Sequence, residues 1–574
     1  MIRKIKTDIL VLGMGGAAEM AVLNAFDANP DLDILIVTKA LKGKGGCSRM
    51  VQGGFNVVLN PADSHEKHLM DTLKGGQYIN DQELAITLVE KATDTIKEME
   101  TLYGCFFDRN TNGTIHQKAF AGQSFDRTVH KGDLTGIEII SRLTEQVAKR
   151  DISVLEEHRA VDLLLDSSGE EVVGALILDI KQAEFLEVNA RATLVATGGG
   201  PTHYRFFAPG PEKSVDGLGM LYRAGVLMRD MEMVQFHPTG LIIPGSVVAG
   251  SLLEEGLRGA GAYMINGLGE RFMERYDPER MERTTRDIMS RSSYLEMQAG
   301  RACKEGGIHI DASHLGAKFV EDNFPGMCSR CRQFKYDLAR EPVPVSPSAH
   351  YIMGGAAIDK NARSSKRRLF VAGEDSGGVH GANRLGGNGI CDSCVYGRQA
   401  GKAMSDFLKK HQEPAPESVP DMAAGLTNCY MRPFQRAKGA NLFEMRDRLR
   451  ELNWNTVGVA RKEPDLSNAV KEIEEIAVQT KKIKIEGHGA YNMPWHVYID
   501  LLNMIEVSRM VAESAKWREE TRGAHFRSDY SEQDDAFGLF NIYQSLGSDG
   551  KRKLEKKPVD FKYIPLEKCQ RYEK

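Results

Sequence analysis

The chain opens with two short apolar runs on either side of a helical pattern. Residues 8–12 (DILVL) and 33–37 (DILIV) are rich in Ile, Leu and Val, a composition typical of buried parallel strands. Residues 19–27 between them have helical composition. A strand, a helix and a second strand form a βαβ unit, so this pattern predicts an α/β domain at the start of the chain.

Later segments extend this organisation. Residues 192–195 and 368–372 are further apolar runs that predict buried strands. Residues 497–510 (VYIDLLNMIEVSRM) have heptad-like apolar spacing, which favours a helical region from about 420 to 525. The stretch 411–420 is rich in Pro and Glu and is interpreted as the linker before that region.

The turn after the first strand has the spacing of a dinucleotide-binding loop. Residues 13–18 read G-x-G-x-x-A between a strand and a helix. Gly13 permits the tight turn, Gly15 lets the backbone approach a pyrophosphate, and Ala18 lets the helix pack closely. Gly16 and Ala17 open the helix, whose N-terminus favours the phosphate charge.

The acidic residue expected at the end of the second strand of an NAD site is absent. Thr38 and Lys39 stand there instead, which argues against a standard NAD site. Three more glycine-rich clusters follow apolar runs or loops, and the sequence contains 57 glycines in 574 residues. Such clusters predict several backbone segments that converge on one large ligand, which FAD fits better than a mononucleotide. The cofactor-binding candidates in these clusters are Gly46, Cys47, Ser48, Gln52, Gly53, Gly54, Ala196, Thr197, Gly198, Glu374, Gly387, Asn388 and Gly389.

Composition excludes several classes of protein. With 41% hydrophobic and 27% charged residues, the chain is neither disordered nor collagenous nor a simple coiled coil. A net charge of −4 gives no electrostatic footprint for nucleic acid. The nine cysteines do not suggest a disulfide framework, no apolar run is long enough to span a membrane, and the N-terminus lacks the features of a secretory signal. We therefore expect a cytoplasmic protein that contacts a membrane only through partners.

Seven further stretches, in order along the chain, resemble the flavoprotein subunit family of succinate dehydrogenase and fumarate reductase, with L-aspartate oxidase as a near relative. They are residues 235–240 (QFHPTG), 255–261 (EGLRGAG), 266–273 (NGLGERFM), 285–287 (TRD), 348–355 (SAHYIMGG), 380–386 (HGANRLG) and 522–530 (RGAHFRSDY). The tail, 549–565, resembles the short β tail of the succinate and fumarate enzymes, which aspartate oxidases tend to lack.

The resemblance implies an α/β architecture. A Rossmann-like FAD-binding domain would comprise 1–243 and 348–415, and an inserted α+β capping domain would cover the substrate from 244 to 347. A helical domain would follow from 420 to 525, with a C-terminal tail from 526 to 574.

The resemblance also implies roles for particular residues. His237, His350 and Arg384 match the positions that grip substrate carboxylates, and Arg384 also contacts the flavin. Arg286 matches the proton donor, and Glu255 with Arg258 matches its proton relay. An arginine, whose pKa lies above about 12 in water, can donate a proton only in a dry, closed site that resupplies it. Asp216 is a further cofactor-binding candidate.

Two departures from the family pattern bear on cofactor and substrate. No histidine occurs between Lys39 and Gly54, where the family attaches its flavin covalently near Cys47, so we expect noncovalent FAD. The family has Thr or Ser before the relay glutamate, whereas this chain has Glu254. A carboxylate that faces a substrate carboxylate repels it unless a proton or a cation intervenes. This departure argues against a second carboxylate pocket and favours a larger substrate or a monocarboxylate, whereas the rest of the resemblance implies an unsaturated dicarboxylate.

Several functions remain open at this point. The leading hypothesis is a fumarate reductase-like or succinate dehydrogenase-like subunit that receives electrons from an iron–sulfur partner, since the sequence has no c-type haem motif. The alternatives are an L-aspartate oxidase-like enzyme and a noncatalytic flavoprotein. The Cys328/Cys331 and Cys391/Cys394 pairs have metal-ligand spacing, but they belong to different predicted modules, so no metal is expected there.

Overall fold

A seven-stranded sheet lies at the centre of the N-terminal part of the computed structural model, which describes residues 2–414, 417–536 and 538–571. The two predicted strands pair in parallel, with Ile9 opposite Ile34. Leu369–Val371 also pairs in parallel with the long central strand Glu184–Val195. In order across the sheet, the other strands are Ser153–Glu156, Ile34–Thr38, Arg3–Leu12, then Glu184–Val195, Val172–Asp179 and His158–Leu165.

The glycine-rich segments meet at one edge of this sheet, as the sequence predicts. The parallel strands that end at Leu12, Val195 and Val371 all point their carboxyl ends to this edge. Gly13 adopts a φ of +107°, and a Cβ atom there would lie 2.2 Å from the Ala196 carbonyl oxygen. Only glycine fits this crossing of two chain segments.

Helices cover both faces of the sheet. The first helix begins at Gly16, three residues before its predicted start, and the helix Asn388–Lys410 packs along it. Gly397 allows that close approach, because a Cβ atom there would lie 2.3 Å from the Ala17 carbonyl oxygen. The helices of this part of the chain are Gly16–Ala28, His65–Gly75, Gln82–Thr101, Thr135–Ala148, Asp216–Arg223 and Asn388–Lys410.

A separate hydrophobic core lies between Leu241 and Val345, within the segment predicted to form the cap. Its four-stranded sheet comprises Val234–Leu241, Val343–Ile352, Ile308–Asp311 and Tyr263–Ile265. The first two of these strands also reach into the FAD-binding part, so the two parts share them; the exact domain boundaries stay a prediction. The helices here are Gly256–Gly259, Met273–Tyr276, Arg286–Gln298, Ala317–Asn323 and Pro325–Gln333.

The C-terminal part combines helices with a small sheet. The predicted helix 497–510 lies within the longer Met493–Trp517, beside Met422–Met431, Leu442–Thr456 and Glu463–Thr480. The tail forms an antiparallel hairpin, Phe540–Leu546 with Arg552–Pro558, that pairs with Met228–Arg229 and thereby joins Gly355–Ala357 and Ser376–Gly377. A last helix is Leu566–Arg571. Across the described residues, no helix combines the length and apolarity that a membrane crossing requires.

A small three-stranded sheet supports the loop at the rim of the central sheet. It consists of Phe55–Asn56, Thr128–Val129 and Gln117–Lys118. The fully buried Arg127 beside it forms two hydrogen bonds of 3.0 Å to the Asp63 carboxylate and an ion pair with Asp71. Both carboxylates depend on this guanidinium for their counter-charge.

Replacing Arg127 with methionine is expected to destabilise the protein by about 3–5 kcal/mol, because two carboxylates are then left buried without a cation. Urea unfolding, followed by far-UV circular dichroism, measures the change. R142M is the matched control, since Arg142 pairs with Glu138 on an exposed helix surface, where water screens the ion pair. Equal effects of the two substitutions would contradict the assignment.

Candidate functional site

A cavity of about 650 Å³ opens at the carboxyl edge of the central sheet and extends beneath the cap. A smaller cavity of about 70 Å³ continues along the same edge, and both cavities share Gly15, Gly46 and residues 196–198 as lining. Among the predicted site residues, the large cavity is lined by Gly15, Gly16, Ala17, Gly46, Cys47, Ser48, Gln52, Gly53, Gly54, Ala196, Thr197, Gly198, His237, Glu254, Glu255, Arg286, His350, Glu374, Arg384, Gly387 and Gly389. The small cavity adds Gly13, Thr38, Lys39 and Asp216.

Three predicted site residues do not line either cavity. Ala18 is buried inside the first helix. The Asn388 side chain hydrogen-bonds to Asn56, His68 and Thr72, so it fixes the start of its helix from behind. Arg258 lies behind Glu255 and donates a hydrogen bond to that carboxylate.

The shape and the donors of the joined cavities fit FAD. The N-terminus of the first helix faces the large cavity through Gly15, Gly16 and Ala17, where backbone N–H groups can bind a pyrophosphate. The Ser48 hydroxyl accepts a hydrogen bond of 3.1 Å from the Gly16 N–H and so ties the second glycine-rich segment to this helix. An elongated nucleotide would extend from here into the small cavity.

The small cavity is lined by a buried acidic residue, Asp216, although the end of the second strand carries none. Asp216, at the start of the helix Asp216–Arg223, lies 2.6 Å from Lys39 Nζ and 2.5 Å from Arg159 Nη2. Burial alone would favour the neutral acid, but these two cations hold the pKa of Asp216 far below its usual range. The carboxylate is therefore ionised and already paired within the protein.

Two more buried carboxyl groups, Glu374 and Asp375, accept hydrogen bonds from backbone N–H groups of other segments that meet at this edge of the sheet. Glu374 Oε1 accepts hydrogen bonds from the N–H groups of Ile352, at 3.0 Å, and Gly200, at 3.2 Å. Asp375 accepts one of 2.8 Å from the Gly198 N–H. Burial raises the pKa of Glu374 to about 7 and that of Asp375 to about 6, so both groups can be protonated near neutral pH.

At the cap side of the cavity, a chain of three buried charges includes all three predicted proton-transfer residues. Glu255 Oε2 lies 2.6 Å from Arg286 Nη2, and Glu255 Oε1 lies 3.2 Å from Arg258 Nη2. Although burial opposes ionisation, these two guanidinium groups lower the pKa of Glu255 below its usual value. One carboxylate thus connects two arginines through continuous hydrogen bonds.

Arg384 lies on the cavity wall close to Arg286, and both guanidinium groups contact Gln235 Oε1. Its Nη2 donates to Gln235 Oε1 at 3.1 Å and lies 3.0 Å from His350 Nε2, and its guanidinium lies 4.4 Å above the Tyr351 ring. Within the described parts of the chain, Arg384 makes no ion pair, and its buried Nε has no hydrogen-bond partner. Burial and the nearby Arg286 lower the pKa of Arg384 to about 10, at which it still carries its charge at neutral pH.

The two predicted histidines lie together between the arginines. The rings of His237 and His350 are 5.4 Å apart in an edge-to-face arrangement. Burial, reinforced by Arg286, Arg384 and Arg258 for His237 and by Arg384 and Arg286 for His350, lowers the pKa of both imidazoles well below the usual value. Both are therefore neutral, and each can serve as a hydrogen-bond donor without adding charge.

Glu254 also faces the cavity, and a cation does accompany it. Lys118 Nζ lies 2.7 Å from Glu254 Oε1, and Glu254 is only 5% exposed. Lys118 itself is not part of the cavity lining, so the lysine neutralises the carboxylate from behind while the carboxylate remains on the wall.

Sequence reasoning missed four residues of this site. Gln235, which joins Arg286 and Arg384 through one carbonyl oxygen, and Tyr351, which lies under Arg384, were inside quoted motifs and carried a usable signal. Gln235 shares a strand face with His237, because side chains two residues apart point to the same side. Phe120 lines the cavity and Lys118 pairs with Glu254, but no local pattern identifies either residue.

Residues 8–390 match the family model described as FAD binding domain, and residues 446–572 match that described as fumarate reductase flavoprotein C-term. One relative, from the fumarate reductase (CoM/CoB) of Methanothermobacter marburgensis, is 37% identical over 92% of this chain and 94% of its own length. The fumarate reductase flavoprotein subunit of Haemophilus influenzae is 30% identical over 97% of this chain and 94% of its own length. Among solved structures, the Escherichia coli quinol fumarate reductase superposes with a TM-score of 0.93 at 29% identity, over 98% of both chains.

These matches span the whole architecture and confirm the predicted fold class and the FAD cofactor. The cavity, its helix N-terminus and its converging cations lie in the segment that matches the FAD-binding model. The chain belongs to the fumarate reductase and succinate dehydrogenase flavoprotein family, the FAD-dependent oxidoreductases that act on CH–CH groups.

Proposed function

We propose that this protein reduces the carbon–carbon double bond of an unsaturated carboxylic acid, with Arg286 as the proton donor. FAD in its reduced form, held by the glycine-rich segments of the cavity, would supply the hydride. The side chains of the cavity hold the acid, polarise its double bond and deliver the proton to the carbon that does not receive the hydride.

The unpaired charge of Arg384 is the observation that carries this proposal. A buried guanidinium without a counter-ion is unfavourable, and a bound carboxylate would complete the pair through two parallel hydrogen bonds. Neutral His237 lies nearby, and because its Nδ1 accepts from the Thr239 N–H, its Nε2 can donate a further hydrogen bond to the same acid. His350 Nε2 accepts from Arg384 and helps to fix the guanidinium. Withdrawal of electron density toward these donors makes the double bond a better hydride acceptor.

Arg286 is suited to proton delivery by its position. It lies on the cavity wall with Glu255 behind it and Arg258 behind Glu255, so a proton lost by Arg286 can be replaced along the same hydrogen bonds. Arg286 Nη1 also donates to Gln235 Oε1 at 3.1 Å, the oxygen that Arg384 Nη2 contacts. The proton donor and the carboxylate anchor are therefore positioned by a shared side chain.

We further propose that electrons reach the flavin from a separate iron–sulfur subunit. The chain has no c-type haem motif of its own, and relatives such as that of H. influenzae are named as flavoprotein subunits. Any contact with a membrane would then be made through such partners.

Replacing Arg286 with lysine is expected to slow substrate reduction about 10²–10⁴-fold, the usual contribution of general acid catalysis, while FAD content is unchanged. The flavin is reduced photochemically without oxygen, and its absorbance is followed after separate additions of fumarate, mesaconate, crotonate, cinnamate and iminoaspartate. R283K is the matched control, since Arg283 precedes the helix that Arg286 opens, does not line the cavity and donates to the Gly259 carbonyl oxygen.

Full turnover by R286K would refute the proton-donor role. Reoxidation by iminoaspartate alone would instead support the L-aspartate oxidase-like alternative, and no reoxidation by any acid would support a noncatalytic flavoprotein.

We propose that the FAD is held noncovalently. Cys47 and Ser48 occupy the wall where the family attaches its flavin to a histidine. Burial raises the pKa of the Cys47 thiol to about 12, so the reactive thiolate does not form at neutral pH. Acid precipitation is expected to release all the flavin into the supernatant; a fluorescent flavin that stays with the pellet would contradict this.

A second candidate, an enoate reductase for a monocarboxylic or larger acid, is favoured by Glu254. This carboxylate faces the cavity, while Lys118 lies outside the lining. A second substrate carboxylate placed there would meet an acceptor oxygen instead of a donor. One carboxylate would still be bound by Arg384, and the remainder of the substrate would be uncharged near Glu254.

Substituting Glu254 with threonine is expected to raise kcat/KM for fumarate relative to crotonate by at least about tenfold, or 1.4 kcal/mol, since it replaces the acceptor with a hydroxyl donor. K118M is expected to change the ratio in the opposite direction, because Glu254 then loses its counter-charge. K44M, which removes an exposed lysine from the cavity lining, serves as the control. A wild-type preference for fumarate that E254T leaves unchanged would exclude this second candidate.

A further inference from the structure

A turn at the base of the cap holds a cysteine, a glutamate and a histidine close together, apart from both cavities. Cys303 and Glu305 lie on the turn, and His309 lies on the strand Ile308–Asp311 that follows it. The Cys303 sulfur, one carboxylate oxygen of Glu305 and one ring nitrogen of His309 all lie within 4.8 Å of one another. None of the three takes part in the chemistry proposed above.

The backbone of this cluster is firmly fixed. The Cys303 N–H donates to the Gly307 carbonyl oxygen at 2.7 Å, and the Gly306 N–H donates to the Cys303 carbonyl oxygen at 2.9 Å. Gly306 adopts a φ of +85°, which closes the turn. His309 is held in sheet register between Ile265 and Pro344. The three side chains therefore extend from one rigid unit.

The glutamate in the cluster is incompletely satisfied. Its buried Oε2 atom has no hydrogen-bond partner and lies 4.0 Å from His309 Nε2. Its Oε1 atom lies 3.5 Å from Lys304 Nζ, but that lysine side chain is 90% exposed and contributes little. A buried carboxylate oxygen without a partner is unfavourable, and a cation at this position would remove the penalty.

The sulfur is also prepared for a cation. Cys303 is 8% exposed, and the backbone N–H groups of Glu305 and Gly307 point toward its sulfur. Such N–H groups stabilise a thiolate, although burial, and after it the Glu305 carboxylate that accepts from the thiol, raise the pKa of the free thiol. A metal ion bound at the sulfur would displace the thiol proton to solvent.

We propose that Cys303, Glu305 and His309 bind one divalent transition-metal ion, with Zn²⁺ as the preferred ion and water as a fourth ligand. One thiolate, one carboxylate and one imidazole are the donors that Zn²⁺ takes most often. Tetrahedral coordination with bonds of about 2.0–2.3 Å places ligand atoms roughly 3.3–3.8 Å apart, so small side-chain rotations from the present arrangement suffice.

The position of the cluster indicates a structural role. A Cβ atom on Gly307 would lie 2.3 Å from the Val345 carbonyl oxygen and 2.4 Å from Ile242 Cδ1, so the turn packs directly on both chain segments that connect the cap to the FAD-binding part. A metal ion here would stabilise the turn where it packs against these two segments. This role is independent of the substrate and of the proposed reaction.

Cobalt binding tests the proposal on the full-length flavoprotein. Co²⁺ is titrated into chelator-treated protein, and near-ultraviolet absorption is recorded as a difference spectrum against the flavin. One Co²⁺ per chain with a thiolate-to-cobalt band is expected, and Zn²⁺ should displace it. C303S should lose the band, and E305Q and H309A should lose stoichiometric binding.

C429S and H314A are the matched controls, because Cys429 and His314 are exposed and lie outside the cluster. Far-UV circular dichroism and flavin content verify that each variant is folded. The absence of the band in wild-type protein, or an equal band in C303S, would overturn the proposal. H309A provides a second, independent test if C303S does not fold, since His309 is partly exposed and its loss leaves the buried core intact.

Discussion

A buried positive charge without its own counter-ion determines how this molecule is built around its cavity. Arg384 retains its charge although burial and the neighbouring Arg286 both oppose it. The chain tolerates that charge because the Tyr351 ring lies beneath it and the Gln235 carbonyl oxygen accepts one of its hydrogen bonds. His350 Nε2 and the Leu385 carbonyl oxygen accept two more, while the buried Nε has no partner, so an entering anion gains free energy by satisfying the guanidinium.

The other charges near this position are arranged so that they do not neutralise Arg384. Glu255 is occupied by Arg286 and Arg258, and Glu254 is occupied by Lys118. Both histidines are neutral. Arg384 is therefore a buried cation of this cavity that has no ion-pair partner among the described residues, and an anion entering beside it would find its charge unopposed.

Much of the fold and of the site could be predicted because it depends on local rules. The glycine spacing at Gly13 and Gly15 requires a particular turn, and parallel strands place their carboxyl ends at a common edge, so the convergence of the glycine-rich segments followed from the sequence. The helix bounds were less certain, since Gly16 rather than Glu19 begins the first helix. Lys118 could not be predicted, because it meets Glu254 across 136 positions of the chain and only the tertiary fold brings them together. Asn388 is a residue whose motif predicts a contact with the cofactor that its side chain does not make. Hydrogen bonds to Asn56 and Thr72 hold this side chain away from the cavity.

The strands Val234–Leu241 and Val343–Ile352 run through both the cap sheet and the floor of the cavity. Gln235 lies on the first of these strands, and Arg286, at the start of the helix Arg286–Gln298, donates to the Gln235 carbonyl oxygen. Any tilting of the cap would lengthen the contact between these two side chains while leaving the contact of Gln235 with Arg384 intact. The carbonyl oxygen of Gln235 thus couples the two guanidinium groups, and Arg286 stays close to Arg384 only while both of these hydrogen bonds are made.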